Sequence, residues 1–409
     1  MRILHVSWEY PPLVYGGLGR HVHGLAEAQA AAGHDVMVVT QQPEGTESDE
    51  VVRGVRVVRA PHEPLRIGES EILGWVDGLG RALARSAERA GWTPEVVHAH
   101  DWVVAGAGRL LRDRLGVPLV ATVHATEAGR HQGWLPGELS RAIHRREWRL
   151  TVDARRVIVC SDAMRADVET LFAVPYGAVD VVPSGIDAAA WRAPARDVRA
   201  ARERYAADGP LLVTASRLEW EKGVQTLLDA LPRLRRRFPG LRLVVAGRGS
   251  QRDALEAQAR RLRLGRTVSF AGWVPEPELA ALLGAADAVV LPSVYEPFGL
   301  VALEAAAQGT PLVVSATGGL AETVADGVTG RTSPPLDPAA LADVVTDVLH
   351  DPESARRRAR RMSRRLREVH SWPAVAERTV EVCARAVAEA DAPRPRRRLV
   401  LRDGNQLGR

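Results

Sequence analysis

Two successive runs of short apolar segments alternate with helical patterns, and one aperiodic stretch separates them. This constrains the fold more than any other feature. The first run holds candidate strands Arg2–Ser7, Asp35–Thr40, Val51–Arg59, Glu95–Ala99, Pro118–Val123, Arg156–Cys160 and Val179–Val182. Near-continuous apolar strands joined by helices predict a parallel sheet covered on both faces. Between the first two strands, Leu18, Val22, Leu25 and Gln29 keep a helical spacing, and Gly33 ends that helix. The break comes at Pro183–Pro194, rich in turn residues and without a period, and the hinge is placed there. A second alternation follows: Leu211–Ala215, Leu241–Ala246, Thr267–Phe270, Asp287–Leu291 and Pro311–Ser315. It predicts a second doubly wound α/β domain. The chain of 409 residues is too long for one ordinary core. The expected division is 1–185, 186–371, a crossover helix at about 372–390, and a basic tail at 391–409. An Arg-rich helix is expected over about 353–369.

Composition narrows the class. No apolar run approaches the roughly 20 residues of a bilayer span, and Met1–Tyr10 reads as a strand, not a secretory signal. Cys160 and Cys383 have neither zinc nor redox spacing, so they read as core fillers in a reduced cytoplasmic protein. A formal charge of +5 gives no ground for nucleic-acid binding. Of the 55 basic residues, every one but Lys222 is arginine. A bias towards arginine codons explains the arginines but not the position of the lysine.

Three segments in the second half carry chemistry. In Tyr295–Gly309 a strand ends, Pro292–Pro297 turns, and a helix is expected to start near Phe298 with Pro297 in its first turn. Free N–H groups at Gly299, Leu300 and Val301 would attract a phosphate, and Gly299 allows close approach. Glu304 lies among Leu303, Ala305, Ala306 and Ala307, where a carboxylate needs a partner, and ribose hydroxyls would serve. Glu296 stands at the strand end, where α/β sheets bind ligands. In Ser216–Gly223, Arg217 and Lys222 follow a strand, and two cations there can neutralise a departing diphosphate. A compact ammonium is not interchangeable with a planar guanidinium at a tight site. Val245–Ser250, with Gly247, and the later Gly272-Trp273-Val274 either line a base pocket or are ordinary strand-to-helix turns.

In the first half, Gly16-Gly17-Leu18-Gly19 joins a strand to a helix, near donor phosphates or acceptor, or as a plain tight turn. His98, His100, Asp101 and His124 follow candidate strands. His98 and His100 point to one side and Asp101 to the other. His124 comes from another strand, and nothing in the sequence assembles these groups into a metal site, so none is expected. His98 reads as a core histidine satisfied by backbone. Asp101 and His124 read as hydrogen-bonding groups towards a sugar. No nucleophile elbow or reactive-cysteine motif is present. A retaining transfer can proceed without one if the leaving diphosphate takes the acceptor proton.

The combined pattern resembles glycosyltransferase family 4. It rests on Gly16–Gly19, His124, Arg217 with Lys222, and Glu296 with seven residues between it and Glu304, and it covers nearly the whole chain. Ser7–Pro12, His98–Trp102 and His124–His131 further resemble the actinobacterial and mycobacterial α-1,4-glucan synthases. The resemblance implies a GT-B fold, two Rossmann-like domains facing each other across a cleft. The N-terminal one would take the acceptor and the C-terminal one the nucleotide sugar. It implies a retaining glucosyltransferase using ADP- or UDP-glucose to extend the non-reducing end of an α-1,4-glucan. Arg217 and Lys222 would grip the diphosphate and Glu304 the ribose. Glu296 and the Phe298-Gly299-Leu300 backbone would hold the hexose. His124 would bond its 6-hydroxyl and Asp101 face the reacting centre or acceptor. Gly16 and Gly17 would lie near donor and acceptor, and Gly247 and Val274 near the base. Neither cofactor nor divalent metal is expected. Ser184 stands where many relatives have asparagine, a change expected to act on the hinge. Other readings are a transferase acting on a lipid or small acceptor in weak peripheral contact with a membrane, a nucleotide-sugar epimerase, and a non-catalytic sensor.

Overall fold

The computed structural model describes residues 1–42, 45, 47–63, 71–206 and 209–392. It divides into two compact units. Unit 1 is Met1–Gly185 with the segment from Trp372, and unit 2 is Ile186–Ser371. All of the expected tail except residues 391 and 392 lies outside the described residues.

Unit 1 is built on eight strands: β1 (Arg2–Val6), β2 (Asp35–Gln42), β3 (Ser48–Val52), β4 (Val55–Pro61), β5 (Val96–His100), β6 (Leu119–Val123), β7 (Arg156–Val159) and β8 (Val179–Val181). Their order is β3-β4-β2-β1-β5-β6-β7-β8, parallel except for the β3–β4 pair. The expected single strand Val51–Arg59 is in fact parts of a hairpin. Arg53 and Gly54 turn it with φ +47° and +82°, the pair of positive φ values that suits a tight hairpin. The first helix, Gly17–Ala31, buries Val22, Leu25 and Gln29 completely. The last helix, Trp372–Ala388, packs Val375, Ala376, Val382 and Cys383 against Ile3, Leu25, Val96 and Val120. Its Trp372 lies against Gly24 and Gly185, where a Cβ on either glycine would overlap the indole. Both cysteines are buried.

Unit 2 has six parallel strands: β9 (Leu211–Ala215), β10 (Arg242–Ala246), β11 (Val268–Gly272), β12 (Ala288–Leu291), β13 (Leu312–Ser315) and β14 (Arg331–Ser333). Their order is β11-β10-β9-β12-β13-β14. Strand β14 was not expected: three polar residues on an edge carry no apolar signature. Its core joins Leu212, Leu243 and Val290 to Leu227, Leu231 and Leu341 from the covering helices. The Arg-rich helix, Pro352–Val369, is capped by Asp351 and buries Ala355, Ala359, Met362 and Leu366. Its arginines therefore sit on the side away from that apolar stripe.

Candidate active site

In each sheet the chain reverses its direction of winding beside the first strand, and ligands bind at the carboxyl ends of the strands there. In unit 2 this point lies between β9 and β12. The loop after β9 holds Arg217 and Lys222, and the loop after β12 holds Glu296. Lys222 Nζ lies 3.0 Å from Glu296 Oε2, with Ser293 Oγ at 3.3 Å from the same oxygen. Both ion-pair side chains are largely covered, 12% and 19% exposed. Arg217 is half exposed and reaches the buried Glu221 at 3.3 Å. The amides of Val294 and Tyr295 donate to Glu221 O at 2.8 and 3.2 Å, tying the two loops together. Gly223, at φ +69°, makes this approach possible, since a Cβ there would overlap Pro292 O. From the other side, Gly319 N donates to Glu296 O at 2.9 Å and Thr317 Oγ1 to Val294 O at 3.0 Å. Gly318 and Gly319 leave no room for a Cβ against Glu296 O and Pro297 O.

The helix expected near Phe298 begins at Leu300 instead and runs to Gln308. Gly299 precedes it at φ +94°, a conformation that Phe298 or Pro297 could not supply cheaply. Ala302 N is taken by Gly299 O, so Leu300 and Val301 supply the leading amides. Phe298 is buried with its ring edge-on to His370 at 5.6 Å, so its side chain belongs to the core. Glu304 is 3% exposed, buried inside this helix. Gly247 N donates to Gly272 O at 2.7 Å, joining the turns after β10 and β11, and Val274 follows two residues on. A Cβ on Gly247 would overlap Ser216 O, so the turn after β10 closes on the loop after β9.

In unit 1 the corresponding point lies between β1 and β5. The first helix starts at Gly17 after Gly16, as a ligand loop should. The anion at its amides, however, is supplied from within. Glu9 Oε2 accepts from Tyr15 N and Gly16 N, each at 2.9 Å, and the carboxylate also takes Gly19 N–H. Burial pushes the Glu9 carboxyl up, and these amides oppose the shift. The Gly16 and Gly19 amides are therefore not left open for a phosphate, contrary to the expectation for this loop. Glu9 lies in the Ser7–Pro12 segment, but nothing in the spacing announced its partners.

Asp101 follows β5 in an unusual φ of +64°. Its Oδ1 accepts from His124 N at 2.7 Å, and Ala125 N–H also donates to the carboxylate. Burial raises the Asp101 carboxyl, while His124, these amides and Arg130 oppose that rise. The structure thus brings Asp101 and His124 together, with Asp101 already acting as a backbone clamp. The segment after His124 is secured by a further carboxyl. Buried Glu147 accepts from Glu127 N at 2.8 Å, and Ser140 donates to Glu127. Burial raises Glu147 well above its ordinary range.

The histidines need two corrections. His98 is satisfied by a side chain, with Nε2 2.7 Å from Thr122 Oγ1, and not by backbone. Long-range assembly does occur. Ring nitrogens of His5, His98 and His100 lie within 4.8 Å of one another, as do those of His21, His100 and His124. Burial lowers His5 to about 4 and holds His21, His98 and His100 well below their ordinary value. It lowers His124 too, against the pull of Asp101. Ser184 Oγ, at the predicted hinge, lies 2.9 Å from His21 Nδ1.

Comparison with known proteins fits this architecture. Residues 15–190 match the model described as Glycosyltransferase Family 4, and residues 197–365 match Glycosyl transferases group 1. The chain is 47% identical to a glycogen synthase of Mycobacterium tuberculosis, over 97% of both chains. It is 34% identical to a D-inositol 3-phosphate glycosyltransferase of Kineococcus radiotolerans, over 93% of this chain and 92% of that one. Among solved structures, sucrose-phosphate synthase from Thermosynechococcus elongatus superposes with a TM-score of 0.81 at 28% identity, covering 95% of this chain and 99% of the other. With two Rossmann-like units of the GT-B type and relatives matched along almost its whole length, the chain belongs to glycosyltransferase family 4.

Proposed function

We propose that this enzyme transfers glucose from ADP- or UDP-glucose to the non-reducing end of an α-1,4-glucan, with retention. The observation that carries the reading is the Lys222–Glu296 pair across the β9–β12 switch point. The 47% identity to a glycogen synthase over nearly the full length supports it. In this reading unit 2 binds the donor and unit 1 the acceptor. Lys222 and Arg217 meet the diphosphate, whose charge grows as it leaves, and stabilise it where water is excluded. Glu296, bonded to Lys222 before the donor arrives, then accepts from hexose hydroxyls. The Leu300 and Val301 amides add donors at a helix start, and Glu304 takes the ribose. Gly247 and Val274 border the base. Asp101 and His124 face sugar hydroxyls, with Gly16 and Gly17 beside them. The departing diphosphate takes the acceptor proton, so neither protein nucleophile nor divalent cation is required. No helix of the described residues is long and apolar enough to cross a membrane, and the proposed compartment is the cytoplasm.

Incubation with each nucleotide-glucose and maltooligosaccharides should lengthen the oligosaccharides by α-1,4-linked residues. No elongation with any donor would refute the proposal. A second reading, a small or lipid acceptor, draws on the 34% identity to a D-inositol 3-phosphate glycosyltransferase and on the Arg-rich helix Pro352–Val369. Donor consumption with inositol phosphate or anionic vesicles, but not with glucan, would favour it.

A further inference from the structure

Three histidines of unit 1 stand in series behind a buried amide. Gln29 Oε1 lies 2.7 Å from His5 Nε2, His5 Nδ1 lies 3.0 Å from His100 Nε2, and His100 Nδ1 lies 3.3 Å from His124 Nε2. Gln29, His5 and His100 are each 0% exposed, on the first helix, β1 and β5. His124 is half-buried at the end of β6. A neutral imidazole has one donor nitrogen and one acceptor nitrogen, and an amide oxygen only accepts. With the amide oxygen of Gln29 facing His5, the series has one polarity. His5 donates from Nε2 to Gln29 and accepts at Nδ1 from His100 Nε2–H. His100 then accepts at Nδ1 from His124 Nε2–H. His124 is left with an unprotonated Nδ1.

We propose that Gln29, His5 and His100 are positioning residues that hold His124 in its Nε2–H tautomer, so that it offers Nδ1 as an acceptor to a sugar hydroxyl. Burial, which keeps His5, His100 and His124 neutral, is the condition under which such a series transmits direction. The tautomer rests on groups of unit 1 alone, with the Gln29 amide oxygen turned towards His5. Its effect on the reaction rests on the transferase reading above.

The experiment is two-bond proton–nitrogen correlation on the full chain labelled with ¹⁵N-histidine, at neutral pH. His5, His100 and His124, assigned by single substitution, should each show a protonated Nε2 and a bare Nδ1. Gln29→Leu removes the terminal acceptor. It should shift His124 towards Nδ1–H and lower kcat/KM for the nucleotide-glucose about tenfold, the scale of one polar contact. Gln29→Met keeps the length of the side chain without the amide oxygen, and it should lose the tautomer and kcat/KM as Gln29→Leu does, which a packing role for Gln29 would not predict. Three results would overturn the proposal: Nδ1–H on His124 in the native chain, a tautomer unchanged by Gln29→Leu, or a stoichiometric transition metal in the purified protein occupying these nitrogens. If Gln29→Leu does not fold, the native spectrum and Gln29→Met still decide. Failure of glucan elongation with a correct spectrum would sink the glucan-acceptor reading and leave the series standing.

Discussion

The two units share one topology but treat charge at their switch points in opposite ways. Unit 2 places Lys222, Arg217 and Glu296 on loops, partly covered and paired with acidic or basic neighbours, so a ligand can exchange those partners for itself. Unit 1 uses its carboxylates internally: Glu9 takes the Tyr15, Gly16 and Gly19 amides, and Asp101 holds the backbone at His124. Around them stand buried neutral imidazoles. One frame thus yields an ionic site and a hydrogen-bonding site. The first suits a leaving diphosphate and the second suits uncharged hydroxyls.

The largest test of this contrast is removal of the cations. Lys222→Ala or Arg217→Ala should cut turnover by about 10²–10³; the melting temperature should stay nearly unchanged in Arg217→Ala and fall in Lys222→Ala, which leaves the largely covered Glu296 carboxylate without its cation. Lys222→Arg should also be slow, because a planar fork does not replace a point charge at Glu296. Wild-type turnover in Lys222→Arg, measured with saturating donor, would break the ionic half of the comparison.

A second test concerns the approach of the unit 2 loops. Gly223→Ala puts a Cβ onto Pro292 O at a positive φ. It should cost about 2–4 kcal/mol in urea unfolding, and activity should fall with the ion pair's alignment.

Acid should separate the units. Burial lowers His5, His21, His98, His100 and His124 of unit 1, with His34, His62 and His144 shifted the same way. A lowered imidazole means that the unfolded chain binds more protons below about pH 6.5, so stability falls as pH falls. Glu9, Asp101 and Glu147 are raised and act in the opposite sense, since the folded chain holds their protons longer. The imidazoles outnumber the carboxyls, so unit 1 should lose stability as pH falls below 6. Amide exchange resolved by unit should show unit 1 opening first at pH 5.5.

The smallest effect is on Glu147. Its raised carboxyl costs stability at pH values above the ordinary glutamate range, and the amide oxygen of a glutamine in its place could still accept from Glu127 N. Glu147→Gln should therefore raise stability by about 1 kcal/mol at pH 7, a gain that vanishes near pH 4. A gain independent of pH would mean that charge at Glu147 is not the cause.

Much of the sheet architecture is legible because parallel strands buried on both faces leave unbroken apolar runs, as in Leu211–Ala215 and Leu119–Val123. The hairpin at Arg53-Gly54 escapes because valines continue on both sides of a turn made partly by arginine. The ionic site is legible because its residues are local to two strand ends. Lys222 and Glu296 each closely follow a recognisable strand. The histidine series is not legible. His5 and His100 are 95 residues apart and meet only because β1 and β5 are sheet neighbours. Glu9 shows a different limit. A helix start does attract an anion, but sequence spacing does not say whether that anion is a ligand or a nearby side chain.

The solitary lysine has a practical consequence. An endoproteinase specific for lysine has one possible cleavage point in the entire 409-residue chain, the bond between Lys222 and Gly223. That bond lies in the short turn whose lysine side chain is held by Glu296. Digestion can therefore yield only two fragments, and its rate becomes a single-position footprint. Any occupant that orders this turn should register as protection on a gel, without label, tag or substitution.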